Sequence, residues 1–231
     1  MTANAQVYQS AASGFRDAVR VQEAITAPAE RKALAWLARR TPAWVGPDHL
    51  TGLGFAAQFL AGVCYLLARW SAFGLLGATV CIAINWLGDS LDGTLARYRG
   101  ALRPRYGFYV DHMIDTFGAI FLMAGLAASG YLDWRVSAAL LTAFLTLSIE
   151  AYLASYTLAD FRLSHGYFGP TEIRILMMMG NTALLFFPRL TLLGFYLLDI
   201  GGVIAAAAMF GMAIAAAIGH TRRLYNEERL P

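Results

Sequence analysis

The stretch GDSLDGTLARYRGALRPRYGFYVDHMIDTFG, residues 88–118, decides how the chain is read. It places Asp89, Asp92, Asp111 and Asp115 close together in a sequence with only 15 acidic residues. Asp89 and Asp92 are three apart, and Asp111 and Asp115 are four apart. On helices, both spacings put the carboxylates on one face. Apolar runs flank the stretch on both sides, so the acids end one hydrophobic segment and open the next. If those segments are antiparallel neighbours, four carboxylates converge near a membrane boundary.

Composition supports a lipid-embedded chain. The 231 residues are 58% hydrophobic and only 14% charged, against about 25% charged in a soluble domain. Mean hydropathy is +0.52. A net charge of +3 is too small to argue for a nucleic-acid partner. Cys64 and Cys81 sit inside apolar runs without metal-ligand spacing, and they read as reduced packing residues. No short apolar core precedes a small-residue cleavage site, so no signal peptide is expected.

Outward from the acidic stretch, apolar segments near spanning length follow at 51–69, 72–92, 108–131, 134–156, 171–189 and 198–219. The fold class predicted is all-α integral membrane, with six transmembrane helices and an N-terminal interfacial amphipathic helix. Residues 12–40 supply that surface element. Phe15, Val19, Leu34, Trp36 and Leu37 alternate with Arg16, Arg20, Arg31, Lys32, Arg39 and Arg40, with a break near Pro28. The alternative is a solvated tail; the aromatic-plus-basic pattern favours the interface. The expected division is a cytoplasmic or interfacial segment 1–50, a catalytic bundle 51–221 and a cytoplasmic tail 222–231. With six spans, of the 18 lysines and arginines only Arg69, Arg135 and Arg189 fall on the side away from the termini. The bias predicts both termini and the acidic stretch on the cytoplasmic side of the membrane.

Four carboxylates together repel and lose hydration. A divalent cation compensates best, and oxygen ligands favour a hard ion: Mg²⁺, Mn²⁺ or Ca²⁺. Magnesium keeps coordination sites for phosphate, which points to a phosphorylated substrate. Gly93 and Gly107 permit close ligand approach. Arg97 can grip a phosphate, and Arg99, Arg103 and Arg105 make the connector basic. Two other readings exist. The acids could be solvated helix ends paired with Arg97 and Arg99, but their shared spacing and the interleaved glycines argue against this. They could line an ion-coupled transporter, but such folds show repeated halves and broken helices, which are not visible here.

The stretch resembles the defining motif of the CDP-alcohol phosphotransferase family, D-x2-D-G-x2-A-R, eight or nine residues, then G-x3-D-x3-D. Asp89, Asp92, Gly93, Ala96, Arg97, Gly107, Asp111 and Asp115 fill every constrained position. The resemblance implies a metal-dependent transferase of phospholipid synthesis. Such an enzyme moves a substituted phosphate from a CDP-linked donor to an alcohol acceptor and releases CMP. It further implies metal ligation by Asp89, Asp92, Asp111 and Asp115, with Mg²⁺ favoured over Mn²⁺. Asp115 would be the catalytic base, and Asp92, Gly93, Ala96, Arg97 and Gly107 would bind CDP. The family's P-N-x-x-T element corresponds to Pro47–Thr51, with Asp48 replacing Asn, and makes Thr51 a weaker CDP contact. CDP-diacylglycerol is the favoured donor, and a CDP-choline or CDP-ethanolamine type acting on a lipid hydroxyl is the alternative.

Arg105, Glu172 and Arg174 are candidate acceptor contacts, with Arg162 and His165 nearby on the same side. A local ion pair anchoring the helix end is the plainer reading of Glu172 and Arg174. His112 reads as a packing residue, and Met177, Met178 and Met179 as filler. Glu150 is costly inside a span and calls for a partner such as Tyr152 or Tyr156, or a place on the cavity. Gly201, Gly202 and Ala205–Ala208 suit close helix packing, including a homodimer face.

Overall fold

The computed structural model describes residues 26–158, 169–188, 190–192 and 194–229. Arg16, Arg20, Arg162, His165 and Arg189 lie outside the described residues. Among the described residues, seven helices run in order: α1 (Ala27–Arg40), α2 (Pro47–Ala68), α3 (Phe73–Tyr98), α4 (Pro104–Ser129), α5 (Trp134–Leu158), α6 (Pro170–Phe186) and α7 (Leu197–Glu227). Five of them, α2 to α5 and α7, are long and apolar enough to cross a membrane. The sixth expected span is α6, with 17 residues. At 1.5 Å per residue it is about 26 Å long, at the lower limit for a ~30 Å hydrocarbon core.

Several boundaries differ from the sequence reading. The expected break near Pro28 coincides with the start of α1 at Ala27, and Pro28 sits in its first turn, where a missing N–H costs nothing; the part of that element before Thr26, with Phe15 and Val19, lies outside the described residues. The segment from 93 is not a connector, because α3 continues to Tyr98 and the linker to α4 is short. Leu91 and Leu95, one turn apart, continue the buried face of α3 and pack with Leu34 and Ala38 of α1 and Leu50 of α2. The predicted tail is largely the end of α7, which runs to Glu227. Between α6 and α7, Thr191–Leu192 and Phe195–Tyr196 form a two-residue antiparallel ladder.

Helices α2, α3 and α4 form the centre. Ala61, Tyr65 and Ala68 of α2 meet Leu75, Ala78 and Ile82 of α3 and Leu122 and Leu126 of α4. Glycine lets these backbones approach. A Cβ on Gly88 of α3 would lie 2.6 Å from the Leu50 carbonyl oxygen and 2.7 Å from the Gly54 nitrogen of α2. A Cβ on Gly125 of α4 would collide with the backbone of Gly62. Small residues at such contacts are the usual means of close packing in lipid, where no hydrophobic force draws helices together. Around this centre α6 packs on α3, α5 on α4, α7 on α5, and α1 on α3. Inside the bundle the Tyr65 hydroxyl donates to Asn181 Oδ1 at 2.9 Å, and Asn181 Nδ2 donates to Thr79 Oγ1 at 3.1 Å, joining α2, α6 and α3.

On the outside of α1, Arg31, Lys32, Arg39 and Arg40 are exposed, while Leu34 and Ala38 are buried. Arg40 lies over the Trp36 ring at 4.0 Å. Trp70 and Trp134, at the opposite end of the bundle, are exposed, as residues of an interfacial aromatic belt are. Length, composition and these faces make the chain an integral membrane protein.

Candidate metal centre

The acidic site forms where the end of α3 faces the start of α4. One carboxylate oxygen each from Asp89, Asp111 and Asp115 lies within 4.8 Å of the others. This follows from the local chemistry of the helices. Asp111 and Asp115 are one turn apart on α4, and the Gly88–Gly54 contact brings Asp89 of α3 close to α2, which α4 also packs against. The donors are all carboxylate oxygens, suited to a hard divalent ion rather than to zinc.

Asp92 lines the same cleft but stands apart from the three. Its Oδ2 accepts a 2.6 Å hydrogen bond from the Thr51 hydroxyl of α2. Thr51, Gly54 and Phe55 form the α2 wall, Asn85, Asp89 and Asp92 the α3 wall, and Asp111, Ile114 and Asp115 the α4 wall. Asn85 is a site residue that the sequence reading missed. It is 5% exposed and sits one turn before Asp89. Its Nδ2 donates to the Gly54 carbonyl at 3.0 Å and to Gln58 Oε1 at 3.2 Å, and its Oδ1 accepts from Arg174 Nε at 2.9 Å. Arg174 Nη2 also pairs with Asp89 Oδ2 at 2.6 Å, with both side chains largely buried. One guanidinium, anchored on a fixed amide, therefore stands beside the carboxylates from α6.

The other expected residues have distinct places. Gly93, Ala96 and Arg97 lie on α3 beyond the cleft walls; Ala96 is buried and Arg97 is exposed. A Cβ on Gly107 would meet nothing within 4 Å, and on Gly93 only the end of Arg97 at 3.9 Å, so both leave open space beside the acids. Arg105 is exposed in the first turn of α4 and does not line the cleft. Glu172 is 8% exposed and faces α1 instead. Its Oε1 accepts from the Thr26 amide at 3.0 Å and the Thr26 hydroxyl at 2.7 Å, and its Oε2 accepts from the Gly169 amide at 2.9 Å. Asp48 pairs with Arg103. The His112 ring lies tilted against Phe108, with centroids 4.1 Å apart, and edge-to-face with Tyr152 at 4.5 Å. Glu150 is paired with neither expected tyrosine: it meets His220 Nδ1 of α7 at 2.5 Å. Gly202 is occupied within the chain, packed on Val136 of α5, whereas Gly201 faces open space.

Comparison with known proteins agrees with this geometry. The CDP-alcohol phosphatidyltransferase family model matches residues 44–218; the chain belongs to that family. It is also similar to an archaetidylinositol phosphate synthase of Pyrococcus horikoshii, with 31% identity over 113 residues. That alignment covers 49% of this chain and 53% of the relative, so the chain spans about half the length of the curated protein it matches.

Proposed function

We propose that the protein transfers a substituted phosphate group from a CDP-linked lipid donor, of the CDP-diacylglycerol type, to the hydroxyl of a phosphorylated alcohol, releasing CMP. The observation that carries this is the convergence of Asp89, Asp111 and Asp115 within a motif whose glycines leave room beside the acids. The relative's name pairs an archaetidyl group with inositol phosphate, and Arg174 puts a fixed cation at the cleft for an anionic acceptor.

The family resemblance suggests the residue roles. Asp115 takes the proton from the attacking hydroxyl as its oxygen bonds to phosphorus. Arg97 lies one turn beyond Gly93 and contacts the diphosphate. Gly93 and Gly107 admit the nucleotide, and Thr51 holds Asp92 beside it. A divalent ion on Asp89, Asp111 and Asp115, Mg²⁺ with Mn²⁺ as the alternative, would offset the charge that develops on CMP. What remains for the chain is position and fixed charge. The cytoplasmic face, where positive residues concentrate, is the proposed side for this chemistry and for both termini. The proposed division keeps 51–221 as the catalytic bundle, and the open Gly201 face of α7 is the proposed homodimer contact.

The test is CMP release by detergent-solubilised protein with Mg²⁺, CDP-diacylglycerol and a panel of acceptors including inositol phosphate, glycerol phosphate and serine, with CDP-choline plus diacylglycerol as a second arm. Metal-dependent release that is lost in Asp115→Asn supports the proposal. Release from CDP-choline alone would reassign the donor. Ion flux in liposomes without CMP from any donor would refute a transferase.

A further inference from the structure

We infer that Glu30, on the surface helix α1, is a positioning residue that holds α3 against α6 and so sets the Arg174–Asp89 pair; the inference rests on the transferase reading above for the role of that pair. Glu30 lies in the first turn of α1. Its Oε1 accepts three hydrogen bonds, from Trp86 Nε1 at 2.9 Å, Ser90 Oγ at 3.0 Å and Thr171 Oγ1 at 2.9 Å. Trp86 and Ser90 are one turn apart on α3, and each directly follows a site residue, Asn85 and Asp89. Thr171 is three residues before Arg174 on α6, so the two share a face. One oxygen of a third helix therefore bridges the α3 and α6 surfaces beside the point where Arg174 reaches Asn85 and Asp89.

The contact is reciprocal. Thr171 of α6 donates to Glu30 of α1, while Thr26, at the start of α1, donates to Glu172 of α6. Each helix start offers a carboxylate to the other's threonine. A half-buried indole N–H and half-buried hydroxyls keep such partners because leaving them unmet costs more than each bond contributes. At the far end of the same interface, Asn181 of α6 donates to Thr79 of α3 directly. At the site end the direct bonds of Arg174 to Asn85 and Asp89 are joined by a link through α1, whose outer face carries Arg31, Lys32, Arg39 and Arg40. Removing Glu30 takes away the α1 bridge at the site end, where α6 then stays tied to α3 through Arg174, while the Asn181 end still holds. It leaves the charge of Arg174 in place and removes only the order of the Asp89 carboxylate, so metal binding should weaken.

The experiment uses the full chain in detergent and reads two quantities: the Mn²⁺ concentration that half-saturates metal-induced thermal stabilisation, without substrate, and kcat and KM for CMP release. Outer partners of metal ligands typically change metal affinity or activity by about 10–100-fold. Glu30 acts one step further out, so about 10-fold is expected in Glu30→Ala. The midpoint should rise by about that factor and kcat should fall. Glu30→Gln, which keeps an accepting Oε1, should restore both. Thr171→Val, which leaves the Trp86 and Ser90 bonds intact, should move the midpoint in the same direction, and it decides the matter if Glu30→Ala does not fold. Midpoints within twofold of wild type in the folded variants, or Glu30→Gln no better than Glu30→Ala, would overturn the inference. Failure of the wild type itself to release CMP would instead overturn the transferase reading, while its Mn²⁺ midpoint would still test Glu30.

Discussion

Substituting Gly88 by alanine tests whether backbone proximity of α2 and α3 builds the site. The added Cβ would stand 2.6 Å from Leu50 O, 2.7 Å from Gly54 N and 2.8 Å from Gly54 Cα. All three are backbone atoms, so no side chain can swing aside. Non-bonded heavy atoms settle at about 3.5 Å, which requires the helices to part by roughly 0.7–0.9 Å. Overpacking on this scale costs about 1–3 kcal/mol. That is a fraction of the ~5–15 kcal/mol of a typical fold, so most molecules remain folded. Activity should suffer more. Asp89 is the next residue, and Asn85, which orients Arg174, hangs from the Gly54 carbonyl. A displacement near 1 Å at reacting groups costs on the order of 10²-fold in rate. CMP release by Gly88→Ala should therefore fall about 100-fold at a temperature well below its unfolding transition. Gly180→Ala, whose Cβ would meet nothing within 4 Å, is the control and should keep wild-type activity. A Gly88→Ala protein within threefold of wild type would show that the close approach of α2 and α3 does not set the position of Asp89.

Other expectations follow from single contacts. Tyr65→Phe removes the donor to buried Asn181 and should lower stability by about 1–2 kcal/mol, read as the unfolding midpoint in detergent, without a change in KM. Arg99 donates to the carbonyls of Thr41, Pro42 and Val45. Lysine cannot reproduce that fork, so Arg99→Lys should expose the α1–α2 loop to protease faster than wild type. Saturating Mn²⁺ at about 100 times its dissociation constant should stabilise the protein by roughly 2.7 kcal/mol. The Asp111→Asn/Asp115→Asn double variant should lose that gain in a thermal-shift titration.

What could be read from the sequence was what depends on residue type and helical spacing. Asp111 and Asp115 were legible because i,i+4 spacing puts both acids on one face; i,i+3 spacing brought Asp89 and Asp92 to the same cleft, but Asp92 is held by Thr51 and stands apart from Asp89, Asp111 and Asp115. Asn85 was not legible, because one asparagine in an apolar helix acquires meaning only when the Gly54 carbonyl and Arg174 arrive from other helices. Glu150 and His220 meet across α5 and α7, 70 positions apart, and no local pattern encodes that pairing. Glu172 follows Gly169, Pro170 and Thr171, a helix-start signal that competes with the reading as an acceptor contact, and its carboxylate serves Thr26 and Gly169. The end of α3 was misread because Gly93 and four nearby arginines look like loop composition. Leu91 and Leu95 decide instead, since both are buried under α1, and burial of that stripe carries the helix past the glycine.

Charge balance links these parts. Asp89, Asp111 and Asp115 bring three negative charges to one point, and Arg174 returns one positive charge to Asp89. Carboxylates gathered at the edge of an apolar bundle repel one another and lose hydration. A divalent cation is the proposed counter-charge. Holding Arg174 on Asn85 rather than on Asp89 alone keeps the compensating charge fixed when the acids engage an ion. Electrostatics at this site therefore depends on packing: the Gly54–Gly88 contact positions the amide, the amide positions the guanidinium, and the guanidinium stands against Asp89 beside the other acids.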